Sequence, residues 1–299
     1  MMGIRKRRIV AAGVCFCLAA LFLWMASVLG NRAESYFRNI SIRAETQGFD
    51  TEWINSAIKQ QEIPKVGEGE SELEDRETFA VWTELKNESV TAMEGGKSSV
   101  TNVIAVYGPS HCLLPLGKNL LPEDKEGCII GVELAEELFG THLAEGQQLE
   151  WAGKTMTVRG VLREPEHFLM VEASGFREAI TFDRINITLS DSLDRIVAGE
   201  RFINRHGLAA QELQWNHRYG WKWLSEMVPA KWSDFEGWRE NFQKHIKAVE
   251  LVKNTEKSAI ESEGIKYYEQ RLLFELLGIL FCGLSVRNIW YIIRKVSIL

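Results

Sequence analysis

Two long apolar runs, one at each end, constrain this 299-residue chain more than any other feature. Residues 9–29, IVAAGVCFCLAALFLWMASVL, carry no charge. As a helix rising ~1.5 Å per residue they cross a hydrocarbon layer about 30 Å thick. A second run starts at Leu272, LLFELLGILFCGLSV, continues through Arg287 into NIWYII and stops at Arg294. The lipid bilayer is therefore the first expected partner, and everything between the runs forms one large loop outside it. A cleaved signal peptide is the competing reading of the first run. Its apolar core is normally about 7 to 15 residues before a small-x-small site, whereas this run is longer and ends in MASVLGNR, a poor cleavage context.

Orientation follows from fixed positive charge, because basic residues close to a span resist translocation. Arg5, Lys6, Arg7 and Arg8 precede the first run, and Arg294 and Lys295 follow the second. Both termini are expected in the cytoplasm and the loop outside the cell membrane. Glu275 falls one turn after Arg271 near the outer boundary, and Arg287 is close enough to the inner one to snorkel. Trp290 and Tyr291 are the expected interfacial rings.

The loop itself holds 28 basic and 40 acidic residues, a net charge of about −12. That balance argues against nucleic acid or anionic headgroups as partners of the loop. Its roughly 240 residues suffice for one sizeable core. Cys15, Cys17 and Cys282 fall within the spans, leaving Cys112 and Cys128 as the pair for which a disulfide in an oxidising compartment is considered. No CxxC pair and no metal-ligand spacing occurs, so no metal or other cofactor is expected.

Along the loop, Asp50 caps a short amphipathic helix, TEWINSAIKQQ, with Trp53, Ile54, Ala57 and Ile58 at helical spacing. Residues 64–77, PKVGEGESELEDRE, read as an exposed linker. Two strand-like runs, FAVWTELKN and VTNVIAVYG, flank MEGGKSS, whose glycines suit a hairpin. The stretch from Gly127 to Glu164 is the most patterned. A buried strand CIIG enters a helix with Leu134, Ala135, Leu138 and Phe139 on one face and Gly140 at its end. Residues 148–151 and 155–162 then form strands around an AGK turn, with Met156, Val158 and Leu162 alternating against polar neighbours.

This order of elements resembles the MacB-like periplasmic core domain of ABC transporter permeases in the FtsX and MacB group. The residues that carry the resemblance are Leu138, Phe139 and Gly140, then Gly146 and Gly153, then Val158, Gly160 and Val161. The resemblance implies an α+β extracytoplasmic domain of mixed sheet and helix between an N-terminal and a C-terminal transmembrane helix. It also implies a separate ABC ATP-binding subunit and further permease subunits as partners. The sequence has no GxxxxGK[ST] phosphate loop of its own. Permeases of this group have four spans per subunit, against two here, so the chain reads as a shortened or split permease or a free-standing anchored domain.

Further on, FREAITFDRINITLS reads as mixed strand, and DSLDRIVAGERFINRHG as a helix capped by Asp191, faced by Leu193, Ile196, Val197 and Ile203, and ended by Gly207. Trp215, Trp221, Trp223, Trp232 and Trp238 crowd into one region. They form the candidate partner or ligand surface, with structural packing as the favoured reading of the same rings. From Ser233 a charged helical pattern with a stripe of Phe235, Trp238, Phe242, Ile246 and Val249 runs without proline toward the second span, and Gly264 is a point where it could break. The expected partition is a cytoplasmic tail and first span over 1–30, the MacB-like core domain over 31–232, a stalk helix over 233–271, and the second span with a short tail over 272–299.

The six histidines are scattered, without HExxH or a nucleophile elbow. Glu164 and Glu166 around Pro165, beside His167, read as a solvated loop rather than an acid/base cluster. No catalytic residue is assigned, and the chain is read as a non-enzyme. The expected function is that of a permease-like component of an ABC export or mechanotransmission system. The alternative is a double-anchored binding or scaffold module independent of an ATPase, and a third is a membrane-bound hydrolase.

Overall fold

The computed structural model describes residues 2–37, 39–44, 48–62, 78–114, 119–121, 124–174, 180–188, 195–208, 213–215, 235–237, 239 and 257–296. In chain order they form α1 (Met2–Tyr36), β1 (Ile40–Ala44), α2 (Thr51–Glu62), β2 (Thr78–Ala92), β3 (Ser98–Tyr107), β4 (Gly127–Gly131), α3 (Val132–Phe139), β5 (Gln148–Trp151), β6 (Lys154–Leu162), β7 (Phe168–Glu172), β8 (Arg184–Thr188), α4 (Arg195–Arg205), β9 (Leu213–Trp215) and α5 (Ala259–Val296). A 3₁₀ turn occupies Ser110–Cys112. The chain divides into a helical pair, Met1–Ser35 with Ser262–Leu299, and a sheet unit, Tyr36–Glu261.

In the helical pair, two helices are long and apolar enough to cross a membrane, over Arg7–Tyr36 and Ala259–Arg294. They run antiparallel along a seam of small residues. Ala12, Ala19, Ala26 and Ala33 recur every seventh position and are all buried. Gly264, Gly278 and Ser285 are buried on α5 at the same period or its double. The Ser285 hydroxyl donates to the Ala12 carbonyl at 3.1 Å. A methyl group placed on Gly278 would stand 2.8 Å from Leu23, so the glycine permits the approach. The seven-residue spacing keeps one seam in register along both helices. Phe22 stacks on Phe274 and Phe281 at 5.9 and 5.5 Å, and the Arg271 guanidinium lies across Gly30 while pairing with Glu275 at 2.8 Å. That i,i+4 pair is the one expected of Glu275. Gly264 does not break the helix.

The sheet unit is mixed helix and strand. Its nine strands order as β3-β7-β4-β6-β5-β2-β8-β1-β9, and β2 also pairs with β3. Strands β2, β3, β7, β4, β6 and β5 therefore close a ring of pairings. Closure depends on β2, which is 15 residues long and irregular between Leu85 and Glu88, where Asn87 takes a φ of 57°. Such a bulge bends a strand. Residues before it pair with β8 and residues after it with β5. Pairs β3–β7 and β4–β6 are parallel, and the rest are antiparallel.

Period-two alternation sends neighbouring strand residues into two different cores. Val81, Val103, Ala105, Ile130, Val158 and Val171 enter the first, covered by Ile54 and Ile58 of α2, Leu134 and Leu138 of α3, and Phe202 of α4. Trp82, Ile104, Val106, Ile129, Phe168 and Met170 enter the second, together with Leu113, Leu114, Leu120 and Ile260. Tyr36 packs against this second core, so both ends of the sheet unit meet it.

Local signals are realised as expected in several places. Asp50 accepts from the Glu52 N–H at 3.2 Å, Gly140 sits at φ 72° with its N–H on the Glu136 carbonyl, and the β2–β3 turn carries Gly95 and Gly96 at positive φ. In α4 Phe202, which was not among the expected face, is buried, with its ring 5.0 Å from that of Phe79. The expected linker 64–77 and the cap Asp191 lie outside the described residues.

Cys112 and Cys128, the pair considered for a disulfide, are both free and buried, Cys112 in the second core and Cys128 in the first. Burial pushes their thiols up to about 11 and about 12, leaving almost no thiolate to react. A reductant is expected to leave the melting temperature unchanged, and an alkylating probe to reach both sulfurs only after denaturation. Mass spectrometry of the probed protein checks both outcomes.

Candidate functional site at the head of α5

Of the five tryptophans proposed as a surface, Trp215 lies on β9 opposite Ile42 of β1. Trp221, Trp223, Trp232 and Trp238 lie outside the described residues. The site with the most developed geometry is elsewhere, where α5 begins.

The stalk expected as one helix over 233–271 is interrupted: Lys257 and Ser258 are not helical, and α5 starts at Ala259. The reason is a capping box. Ser258 Oγ accepts from the Glu261 N–H at 3.1 Å, and the Glu261 carboxylate accepts from the Ser258 N–H at 3.0 Å. Two otherwise orphaned backbone donors are satisfied reciprocally. Ser-Ala-Ile-Glu at 258–261 is the sequence signature of this motif, and the continuous charged periodicity of the region masks it.

The sheet then grips the capped end through two carboxylates. Glu84 Oε1 on β2 accepts from the Ala259 N–H at 3.0 Å and from the Asn102 amide of β3 at 3.1 Å. Arg184 on β8 donates to Glu261 at 3.1 Å. Its side chain is only 4% exposed, and its guanidinium lies 4.7 Å over the Trp82 ring. Trp82 is fixed in turn by its indole N–H on Asn186 Oδ1 at 3.0 Å. Asp183, 3.7 Å from Arg184 and 3.4 Å from Arg43, completes the charged group. Both carboxylates stand at the positive end of the helix dipole, where negative charge is favoured. Ile260, 5% exposed, adds an apolar plug into the second core.

Burial raises the Glu84 carboxyl above its usual 4.5, opposed by the Ala259 N–H and the Arg184 charge. Its Oε2 is buried without a hydrogen-bond partner among the described residues. A raised carboxyl means that the folded state holds a proton which the unfolded chain releases near 4.5, so stability falls as pH rises from there through the folded value. Glu84→Gln keeps an acceptor for Ala259 and Asn102 and has no proton to lose. Thermal melts of the two proteins are expected to converge at acid pH, with the variant gaining on the parent as pH rises toward neutrality.

His167 is a different case. It is not a loop residue surrounded by solvent alone: its Nδ1 and the Thr101 hydroxyl lie 3.0 Å apart, and its Nε2 and Glu137 lie 3.1 Å apart. Hydrogen bonds from Ser99 and then His167 lower the Glu137 carboxyl. Thr101 is 3% exposed, so this hydroxyl is closed to a substrate, and the trio ties β3, α3 and the start of β7 together. Glu164 accepts from the Tyr36 hydroxyl at 3.4 Å, and the Glu166 carbonyl accepts from the Glu133 N–H at 2.9 Å. Among the described residues no group of three or more His, Cys, Asp and Glu is placed to hold a metal ion.

The family profile described as MacB-like periplasmic core domain matches residues 9–201. Among solved structures, the periplasmic region of MacB from Actinobacillus actinomycetemcomitans is similar at 13% identity and a TM-score of 0.43, covering 60% of this chain and 89% of that one. The extracellular domain of the noncanonic ABC-type transporter YknZ from Gram-positive bacteria is similar at 17% identity and a TM-score of 0.41, covering 60% of this chain and 100% of that one. No curated protein matches the sequence.

Proposed function

This chain belongs to the family of MacB-like periplasmic core domains, and from that premise we propose that it is a permease-like membrane component of an ABC export or mechanotransmission system. Both termini are cytoplasmic, the sheet unit is extracytoplasmic, and ATP is hydrolysed by a separate subunit. The work of the chain is conformational. Rearrangement of the membrane helices is relayed to the sheet unit, or the reverse.

The observation that supports this reading best is the grip on α5. The first three residues of that helix belong to the sheet unit and the rest to the helical pair. A simple tether needs no fixed attachment. Here the helix head carries a capping box, a buried arginine pair, a second carboxylate and a buried isoleucine. Such an anchorage fixes the first turn of α5 to the sheet unit, and force transfer along a helix requires a fixed attachment of that kind.

The test is recovery of the full chain from its native membrane in mild detergent. An ATP-binding subunit co-purifies, and its ATPase rate changes when Arg184→Ala loosens the joint. Recovery of the chain alone, with a ligand retained by the sheet unit, overturns the proposal in favour of an anchored binding module.

A further inference from the structure

We infer that the basic, aromatic end of the α1/α5 pair is a binding surface for the headgroups of anionic phospholipids. Arg7 and Arg8 on α1 and Arg287 and Arg294 on α5 supply the cations there. Between Met1 and Ala33, and again after Glu275, there is no Asp or Glu. The antiparallel seam, pinned by Ser285 on Ala12 and by Gly278 against Leu23, brings the two basic sets to one end. Glu275 is sixteen residues from Tyr291 along α5, about 24 Å of helix. That exceeds the screening length of about 8 Å at physiological salt. No acidic side chain of the helical pair therefore neutralises this end.

The geometry selects an amphiphile over a purely aqueous anion. The Arg8 guanidinium lies 3.5 Å from the Tyr291 ring centroid, and that of Arg294 lies 5.3 Å from the Trp290 centroid. Stacking on a ring leaves the in-plane N–H groups of each guanidinium pointing outward, the fork that fits a phosphate. Ile9, Val10, Ile289 and Ile293 are exposed beside these cations, and Trp290 is 58% exposed. A ligand that fits presents phosphate at the level of the rings and an acyl chain along the isoleucines. Polar headgroup and hydrocarbon meet at that level in a bilayer. The net negative charge of the loop disfavours anionic headgroups, so the lipid preference is assigned to the helical pair and holds whether or not an ATPase is bound.

The test uses the full chain in neutral detergent, titrated with dioleoylphosphatidylglycerol or dioleoylphosphatidylcholine and counted by native mass spectrometry. The phosphatidylglycerol is expected to bind about tenfold more tightly at low salt and to lose that preference as salt is raised. In the double variant Arg8→Gln/Arg294→Gln the preference falls to about twofold or less, while Lys97→Gln/Lys154→Gln on the sheet unit retains it. Equal affinity for the two lipids overturns the inference, as does a preference unchanged by the Arg8/Arg294 variant. Displacement of phosphatidylglycerol by equimolar inorganic phosphate, or by polyglutamate, also overturns it, because the surface then reads charge without the acyl chain.

Discussion

Arg184→Ala is expected to lower the stability of the sheet unit by about 3 kcal/mol and to release the head of α5. The buried guanidinium is the partner of Glu261 at 3.1 Å and lies against Trp82. Removing one partner of a buried pair leaves the other uncompensated, an effect of about 3 to 5 kcal/mol. Glu261 is 28% exposed, so water recovers part of the loss and the lower end applies. The lost stem also uncovers the Trp82 face. Urea unfolding followed by tryptophan fluorescence reads the stability change. Hydrogen exchange at the Ala259 and Ile260 amides reads the release, and it should accelerate by more than the exchange of β4. Arg184→Lys restores less than half of the loss, since an ammonium cannot both stack and reach Glu261 in the same way. An unchanged urea midpoint with unchanged exchange at Ala259 would show that the joint is not held by this arginine, and the mechanical reading would lose its main support.

Gly131→Ala is expected to cost about 3 kcal/mol, a large effect for the addition of one methyl group. Gly131 ends β4 and precedes α3, at an ordinary φ of −76°, so strain in the backbone is not the reason. The reason is space: a Cβ there would lie 2.1 Å from the Glu166 carbonyl oxygen and 2.8 Å from that of Pro165. Both are backbone atoms, and the same Glu166 carbonyl holds the Glu133 N–H at 2.9 Å. Accommodating the methyl group means moving the segment that leads into β7, between β3 and β4 in the ring. Leu121→Ala, at a side chain 73% exposed, serves as the comparison and should stay within about 0.5 kcal/mol of the parent. Equal midpoints for the two variants would mean that the Glu166 segment yields freely.

Elements whose instructions are local are legible in the sequence alone. The α3 boundaries, the αL glycine after it, the β5–β6 turn and the Asp50 cap each follow from residues within one or two turns of one another. Strand β7 is not legible in that way. Phe168–Glu172 is buried at every position, so it has no alternation to betray a strand, and it follows directly on a charged loop. Strand β1 is five residues long and owes its existence to β8, about 145 residues away. The small-residue seam is written in the sequence as Ala12, Ala19, Ala26 and Ala33, but it is concealed within a hydrophobic run long enough to span a membrane.

The clasp on α5 shows the same division in one place. Its capping box, Ser258 and Glu261, is a local word of four residues. Its other half, Glu84 from β2, Arg184 from β8 and Trp82 beneath, is dispersed over a hundred residues. Separately each is an ordinary charged or aromatic strand residue.

Amino-acid order by itself determined the two helices long and apolar enough to span a membrane, their basic flanks, the acidic segment between them and the strand-helix-hairpin module that marks the family, because hydrophobic length, charge and turn chemistry act over a few neighbouring residues. Only the tertiary structure decided which strands close the ring, that Cys112 and Cys128 face different cores, and that the first turn of α5, capped by Ser258, is held by the sheet. Those outcomes depend on pairings between distant segments, whose free energy arises only when the rest of the fold has brought them together.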